Sequence, residues 1–136
     1  MKTTTTFFSL AVSLLFTPAQ AGDMLVIGNG NVPKMDTVTV QKIYSGKFIS
    51  VAGVNVTPVA FKTGTPSRNR FLKEFLNQNE EKYTAYWTVR LYIGKGTPPM
   101  ELGSTRDVIG FVQATPGAMG YIDAIDVQPG MNVIAR

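Results

Sequence analysis

The hydrophobic residues of this chain recur with two different periods. Met24-Leu-Val-Ile27 is a continuous apolar run closed by Gly28-Asn-Gly30, which predicts a strand and a turn. From Asp36 the spacing changes to that of a helix. Val40, Ile43 and Tyr44 share one face, Asp36 suits the N-cap, and Gly46 can close the helix. Asn55 to Phe61 (NVTPVAF) predicts a strand, and Pro58 argues for an edge or a bulge. Thr65-Pro66-Ser67 opens the clearest helix, because Thr suits the cap and Pro the first helical position. Phe71, Leu72, Phe75 and Leu76 follow at helical spacing.

Asn79 can cap a further helix, with Glu80 and Glu81 in the first turn, where the dipole favours acid. Tyr83, Tyr86, Trp87 and Arg90 lie along it, and the spacing of Tyr83, Tyr86, Trp87 and Tyr92 predicts a core face or a protein contact rather than a stacking platform. Gly94 to Pro99 reads as a loop. Ser104-Thr-Arg-Asp107 resembles a capping box in front of Val108, Ile109, Phe111 and Val112, and Pro116-Gly117 ends that helix. Met119 to Ile122 predicts a strand and Met131 to Ala135 a weaker last one. Strands alternating with helices imply an α/β domain, with helices packed on a mixed or mostly parallel sheet.

The first residues have a different pattern. Lys2 precedes the apolar run Phe7–Phe16, Thr17-Pro18 breaks it, and Ala19-Gln20-Ala21 fits a small-x-small cleavage site. These features predict a secretory leader over residues 1–21 and a mature lobe over residues 22–136, periplasmic or secreted. At about 1.5 Å per residue the run falls well short of a hydrocarbon core of roughly 30 Å. No Cys follows it, so no lipid anchor is expected. Loss of Lys2 lowers the net charge from +4 to +3. That balance permits an anionic ligand without requiring nucleic acid.

Composition narrows the chemistry. With no His and no Cys, triads, thiol nucleophiles, zinc fingers and disulfides are excluded. Nine carboxylates spread along the chain form no dense oxygen-ligand cluster and no acid/base pair. No cofactor is expected: Gly28-x-Gly30 is followed by Pro33 where a dinucleotide fingerprint needs its third glycine. An enzyme is therefore the least favoured class.

Several segments taken in order carry a family resemblance. They are Lys42-Ile-Tyr-Ser-Gly-Lys47, Thr57-Pro-Val59, Gly64-Thr-Pro-Ser67, Phe71, Gly94-Lys-Gly-Thr-Pro-Pro99 and Thr115-Pro-Gly-Ala-Met-Gly-Tyr121. Over roughly residues 24–125 the chain resembles the phosphate-type periplasmic substrate-binding proteins of ABC transporters. It is most similar to their small single-lobe, phosphate-binding-protein-like relatives. The resemblance implies a single lobe of the type 2 periplasmic-binding-protein-like fold, with a mixed sheet flanked by helices. It also implies a phosphate loop at the helix that Thr65 opens. Matched without gaps, that family's Arg-x-x-x-Ser-Gly-Thr loop places its Ser on Thr65, its Gly on Pro66, its Thr on Ser67 and its Arg on Phe61. Both hydroxyls are kept. The Arg is replaced, and Pro66 lacks the N–H of the Gly.

The expected ligand site is therefore Thr65, Ser67 and Arg68 at a helix N-terminus, whose free N–H groups and dipole suit phosphate or a similar oxyanion. A plain helix cap explains Thr65 and Pro66 equally well. Two functions stay open: a weak oxyanion-binding lobe for uptake or sensing, and an interaction module that kept the fold and lost the ligand. The second implies a protein partner or self-association.

Overall fold

The computed structural model describes Thr3 and residues 22–136. Except for Thr3, the expected leader lies outside the described residues. The elements run β1 (Met24–Gly28), α1 (Thr37–Tyr44), β2 (Ser50–Val51), β3 (Val54–Asn55), β4 (Thr57–Phe61), α2 (Pro66–Leu76) and α3 (Glu80–Tyr92). They continue with β5 (Met100–Leu102), α4 (Thr105–Ala114), β6 (Ala118–Asp123), a single 3-10 turn (Ala124–Asp126) and β7 (Asn132–Ala135).

Each α-helix begins where a short polar side chain replaces a missing main-chain acceptor. Asp36 accepts from the Thr39 N–H, Thr65 from Arg68, Asn79 from Lys82 and Ser104 from Asp107. α2 stops at Asn77, which adopts the left-handed conformation with φ 51°.

Five strands form one mixed sheet in the order β5-β4-β6-β1-β7, and β2 and β3 make a separate small hairpin. β4 runs parallel to β5 and β6, while β1 runs antiparallel to β6 and β7. The sheet is thus mixed, as the alternation of elements implied. Pro58 is not on an edge strand, because β4 lies between β5 and β6. Its missing N–H is tolerated for a local reason. The Thr57 N–H bonds the Gly117 carbonyl on the β6 side, so residue 58 turns toward β5. Pairing with β5 begins only at Val59, opposite Met100.

The two faces of β6 divide the layers. Tyr121 stacks on Phe71 of α2, with ring centroids 3.9 Å apart, and approaches Tyr44 of α1 at 6.0 Å. Gly120 points the other way, where a Cβ would come within 2.8 Å of Val108 on α4. Helices α1 and α2 therefore cover one face and α4 the other. The buried hydroxyls of this face are bonded: Tyr44 donates to the Val59 carbonyl at 2.9 Å, and Tyr121 accepts from the Phe61 N–H at 3.0 Å. Burial raises both phenol pKa values well above the ordinary range.

α3 forms a satellite cluster outside α2, built on Leu72, Tyr83 and Trp87. Its aromatic residues dock on the C-terminal end of α1. Tyr83 Oη and Trp87 Nε1 both donate to the Tyr44 carbonyl, at 2.8 and 3.3 Å, and Tyr86 Oη donates to Ser45 at 2.7 Å. These contacts satisfy carbonyls that a helix end leaves without partners. Gly46 sits beneath the indole at φ 73°, where any Cβ would come within 2.6 Å of Trp87.

Candidate functional site

β4 and β5 are parallel, so their carboxyl ends lie side by side. There the Lys62 N–H bonds the Leu102 carbonyl at 3.1 Å. The chain leaves β4 through Lys62–Thr65 into α2, and leaves β5 through Gly103–Ser104 into α4. Two helix N-termini thus emerge at one end of the sheet, which is where open α/β sheets place ligands.

Thr65, Ser67 and Arg68 come together there, in three different states. Thr65 Oγ1 accepts from the Arg68 N–H at 3.3 Å and donates its own proton to the Lys62 carbonyl at 2.9 Å. Its hydroxyl is thus engaged in both directions. Ser67 is half-buried at the second helical position, where a main-chain N–H has no intrahelical acceptor.

Arg68 is buried, at 7% exposure. Its Nε and Nη2 form a fork on the two oxygens of Glu80, both at 2.8 Å. Nη1 reaches Glu101 Oε1 at 2.7 Å and the Phe61 carbonyl at 3.1 Å. Four bonds therefore occupy a guanidinium that has five N–H donors. Burial alone would lower its pKa, but the bonds and charges of Glu80, followed by the charge of Glu101, raise it. For Glu80, burial opposes ionisation. The Arg68 and Thr84 bonds outweigh it and hold the carboxyl below its ordinary pKa.

Glu80 and Glu101 were missed as site residues. The sequence reading placed Glu80 at a helix start for the dipole alone, and that remains true of its position. No spacing rule links it to Arg68, since 12 residues separate them, and 33 separate Arg68 from Glu101. β5 was missed too, because three residues are too few to show an alternation.

Beside this ion group lies an open cavity of about 410 Å³. Tyr83, Trp87 and Arg68 line it together with Leu91, Pro98 and Glu101. Burial pushes the Tyr83 phenol up to about 12. Among the described residues there is no group of three or more carboxylates that could hold a metal, and no helix is long and apolar enough to cross a membrane.

No protein-family model and no curated protein sequence matches this chain. Solved structures do resemble it. An ABC-type phosphate transport receptor from Vibrio cholerae superposes with a TM-score of 0.63 at 14% identity, over 82% of this chain and 45% of that one. PstS from Borrelia burgdorferi gives 0.62 at 15% identity, over 83% and 46%. A protein from Clostridium perfringens, described as a phosphate ABC transporter substrate-binding protein with bound phosphate, gives 0.62 at 18%, over 82% and 44%. The likeness shows that this chain shares the fold of these proteins, and it spans under half the length of each of them.

Proposed function

We propose that this chain is an exported, non-enzymatic recognition lobe that acts as an interaction module. In this reading it kept the binding-protein fold without a strong anion site. One observation carries the proposal: the donors of Arg68 face Glu80, Glu101 and the Phe61 carbonyl rather than an open site. An oxyanion approaching Arg68 would meet two carboxylates already in place. The Thr65 hydroxyl likewise donates its hydrogen bond to the Lys62 carbonyl. The partner would be another protein or a second copy of the chain.

A weaker oxyanion reading keeps one supporting observation. Ser67 retains a hydroxyl and a free N–H in the first turn of α2, and the similar Clostridium perfringens structure holds phosphate. An open site with two or three such bonds supports affinity of about millimolar at best.

Calorimetric titration of residues 22–136 with phosphate and sulfate, alongside the mass in solution, separates the two. The interaction reading expects no saturable heat below millimolar anion. Micromolar phosphate binding would overturn it and restore the transport reading.

A further inference from the structure

We propose that the cavity between α3, the Pro98–Pro99 loop and β5 is a binding site for an alkyl chain ending in an ammonium or guanidinium group. The inference goes beyond the interaction reading, since it assigns a ligand class to a cavity that reading does not use.

The cavity's size falls in the range of small-molecule sites, about 300–1,000 Å³. One wall is a single stripe of α3, Thr84, Thr88 and Leu91, at successive helical turns. Pro98, Pro99 and the rings of Tyr83 and Trp87 also line the cavity. Leu91 is 54% exposed, so the apolar wall is open to an incoming methylene chain.

The polar lining has one chemical sense. Thr63 donates to Glu101 Oε1 at 3.0 Å, Thr84 to Glu80 Oε1 at 3.0 Å and Thr88 to the Thr84 carbonyl at 2.8 Å. Each hydroxyl has one proton, so what each still offers is lone pairs. Glu101 offers lone pairs only. Arg68 is the one donor-rich group on the lining, and four bonds to carboxylates and a carbonyl already occupy it. Charge points the same way. One guanidinium faces two carboxylates, which leaves an excess of one negative charge beside aromatic rings. A site that presents acceptors and an excess of negative charge suits a cation carrying several N–H donors, and it repels phosphate.

Trp87 is the chain's sole tryptophan and lines this cavity, so its emission reports occupancy directly. Residues 22–136 are titrated at constant ionic strength with n-butylammonium, n-butylguanidinium, n-butanol, phosphate and N-acetyl-lysine amide. The two butyl cations should give saturable changes near millimolar concentration, and butanol and phosphate none. Glu101→Gln should weaken cation binding about tenfold, the value of one hydrogen bond to a charged group. Thr88→Val, an exposed change that removes one acceptor, should weaken it about threefold and covers the case of a poorly folded Glu101 variant.

Tighter binding of the blocked lysine than of butylammonium would assign the natural cation to a protein side chain. Equal or weaker binding would assign it to a free amine. A response to butanol equal to that of the cations, no saturable response to either cation, or saturation by phosphate would overturn the proposal. Apart from saturation by phosphate, none of these outcomes bears on whether α2 binds phosphate or whether the chain self-associates, because calorimetry and solution mass read those separately.

Discussion

The main-chain nitrogen of Gly22 donates to Asp123 Oδ1 at 3.0 Å, across 101 residues of sequence. Arg70 Nη1 holds the other oxygen of Asp123 at 2.5 Å, and Arg70 also donates to the Gly22 carbonyl. Burial would raise the Asp123 pKa. The Ile125 amide, Arg70 and the Gly22 amide together hold it below the ordinary value. Glu74 lies on the same side, with its carboxylate accepting from the Met24 N–H at 2.9 Å.

If the leader is removed after Ala21, the Gly22 nitrogen becomes an ammonium facing Asp123. Acetylating that amine should then lower stability by about 1 kcal/mol, and Asp123→Asn should abolish the difference. Urea unfolding of the four species checks this. Equal stability of the free and acetylated chains would show that the ammonium adds nothing. Sequencing the protein from its native host should return Gly22 as the first residue, and Met1 would refute export by this leader.

Asp123 and Glu80 both have depressed folded-state pKa values. Their stabilising contribution is therefore complete above the unfolded carboxylate pKa of about 4 and is lost as pH falls through the folded value. Stability should fall on acidification below that point, and Asp123→Asn or Glu80→Gln should flatten the slope. Chemical unfolding between pH 2 and 7 measures it.

Arg68→Met should cost about 1–3 kcal/mol, because it takes the fork away from the half-buried Glu80 and a partner from the more exposed Glu101. Arg68→Lys should recover only part of that, since an ammonium cannot fork onto Glu80. If Arg68 were instead a free ligand contact, either change would leave the unfolding midpoint nearly unchanged.

The stack of Phe71 on Tyr121 is at the centre of the core, and Phe71→Ala should cost about 3–5 kcal/mol. Tyr121→Phe removes the acceptor of a buried Phe61 N–H and should cost about 1–3 kcal/mol. Losses under about 1 kcal/mol at both positions would show that this face is not the stabilising core.

At the start of α2 the two hydroxyls should separate. Thr65→Ala should destabilise by about 1 kcal/mol through loss of the cap. Ser67→Ala should leave stability within about 0.5 kcal/mol, as surface changes usually do. If phosphate at millimolar concentration shifts amide signals near Ser67, and Ser67→Ala removes those shifts, the weak oxyanion reading gains its direct support.

Local rules reached a large part of this fold. Among the described residues, the caps of the four α-helices were legible because capping joins residues three apart, within reach of a sequence pattern. The buried face of α2 was legible for the same reason, since Phe71, Leu72 and Phe75 recur at helical spacing and are buried. The β2–β3 hairpin was not read in the sequence, although Ala52 and Gly53 both turn with positive φ there.

The sequence by itself determined where the helices begin, that Phe71, Phe75, Tyr83 and Trp87 turn inward, and that His and Cys chemistry is absent, because each of these depends on near neighbours or on composition; Tyr92, grouped with the inward aromatics by its spacing, stands 92% exposed at the end of α3. Only the tertiary structure decided that β4 lies inside the sheet despite Pro58, because strand order depends on pairing between distant segments. The role of Arg68 was decided at the same level. Sequence places it beside a helix N-terminus suited to an anion, yet Glu80 and Glu101 arrive from a separate helix and a separate strand to neutralise it. Coulomb attraction acts through space, and only the packing of α3 and β5 against α2 brings those charges within 3 Å.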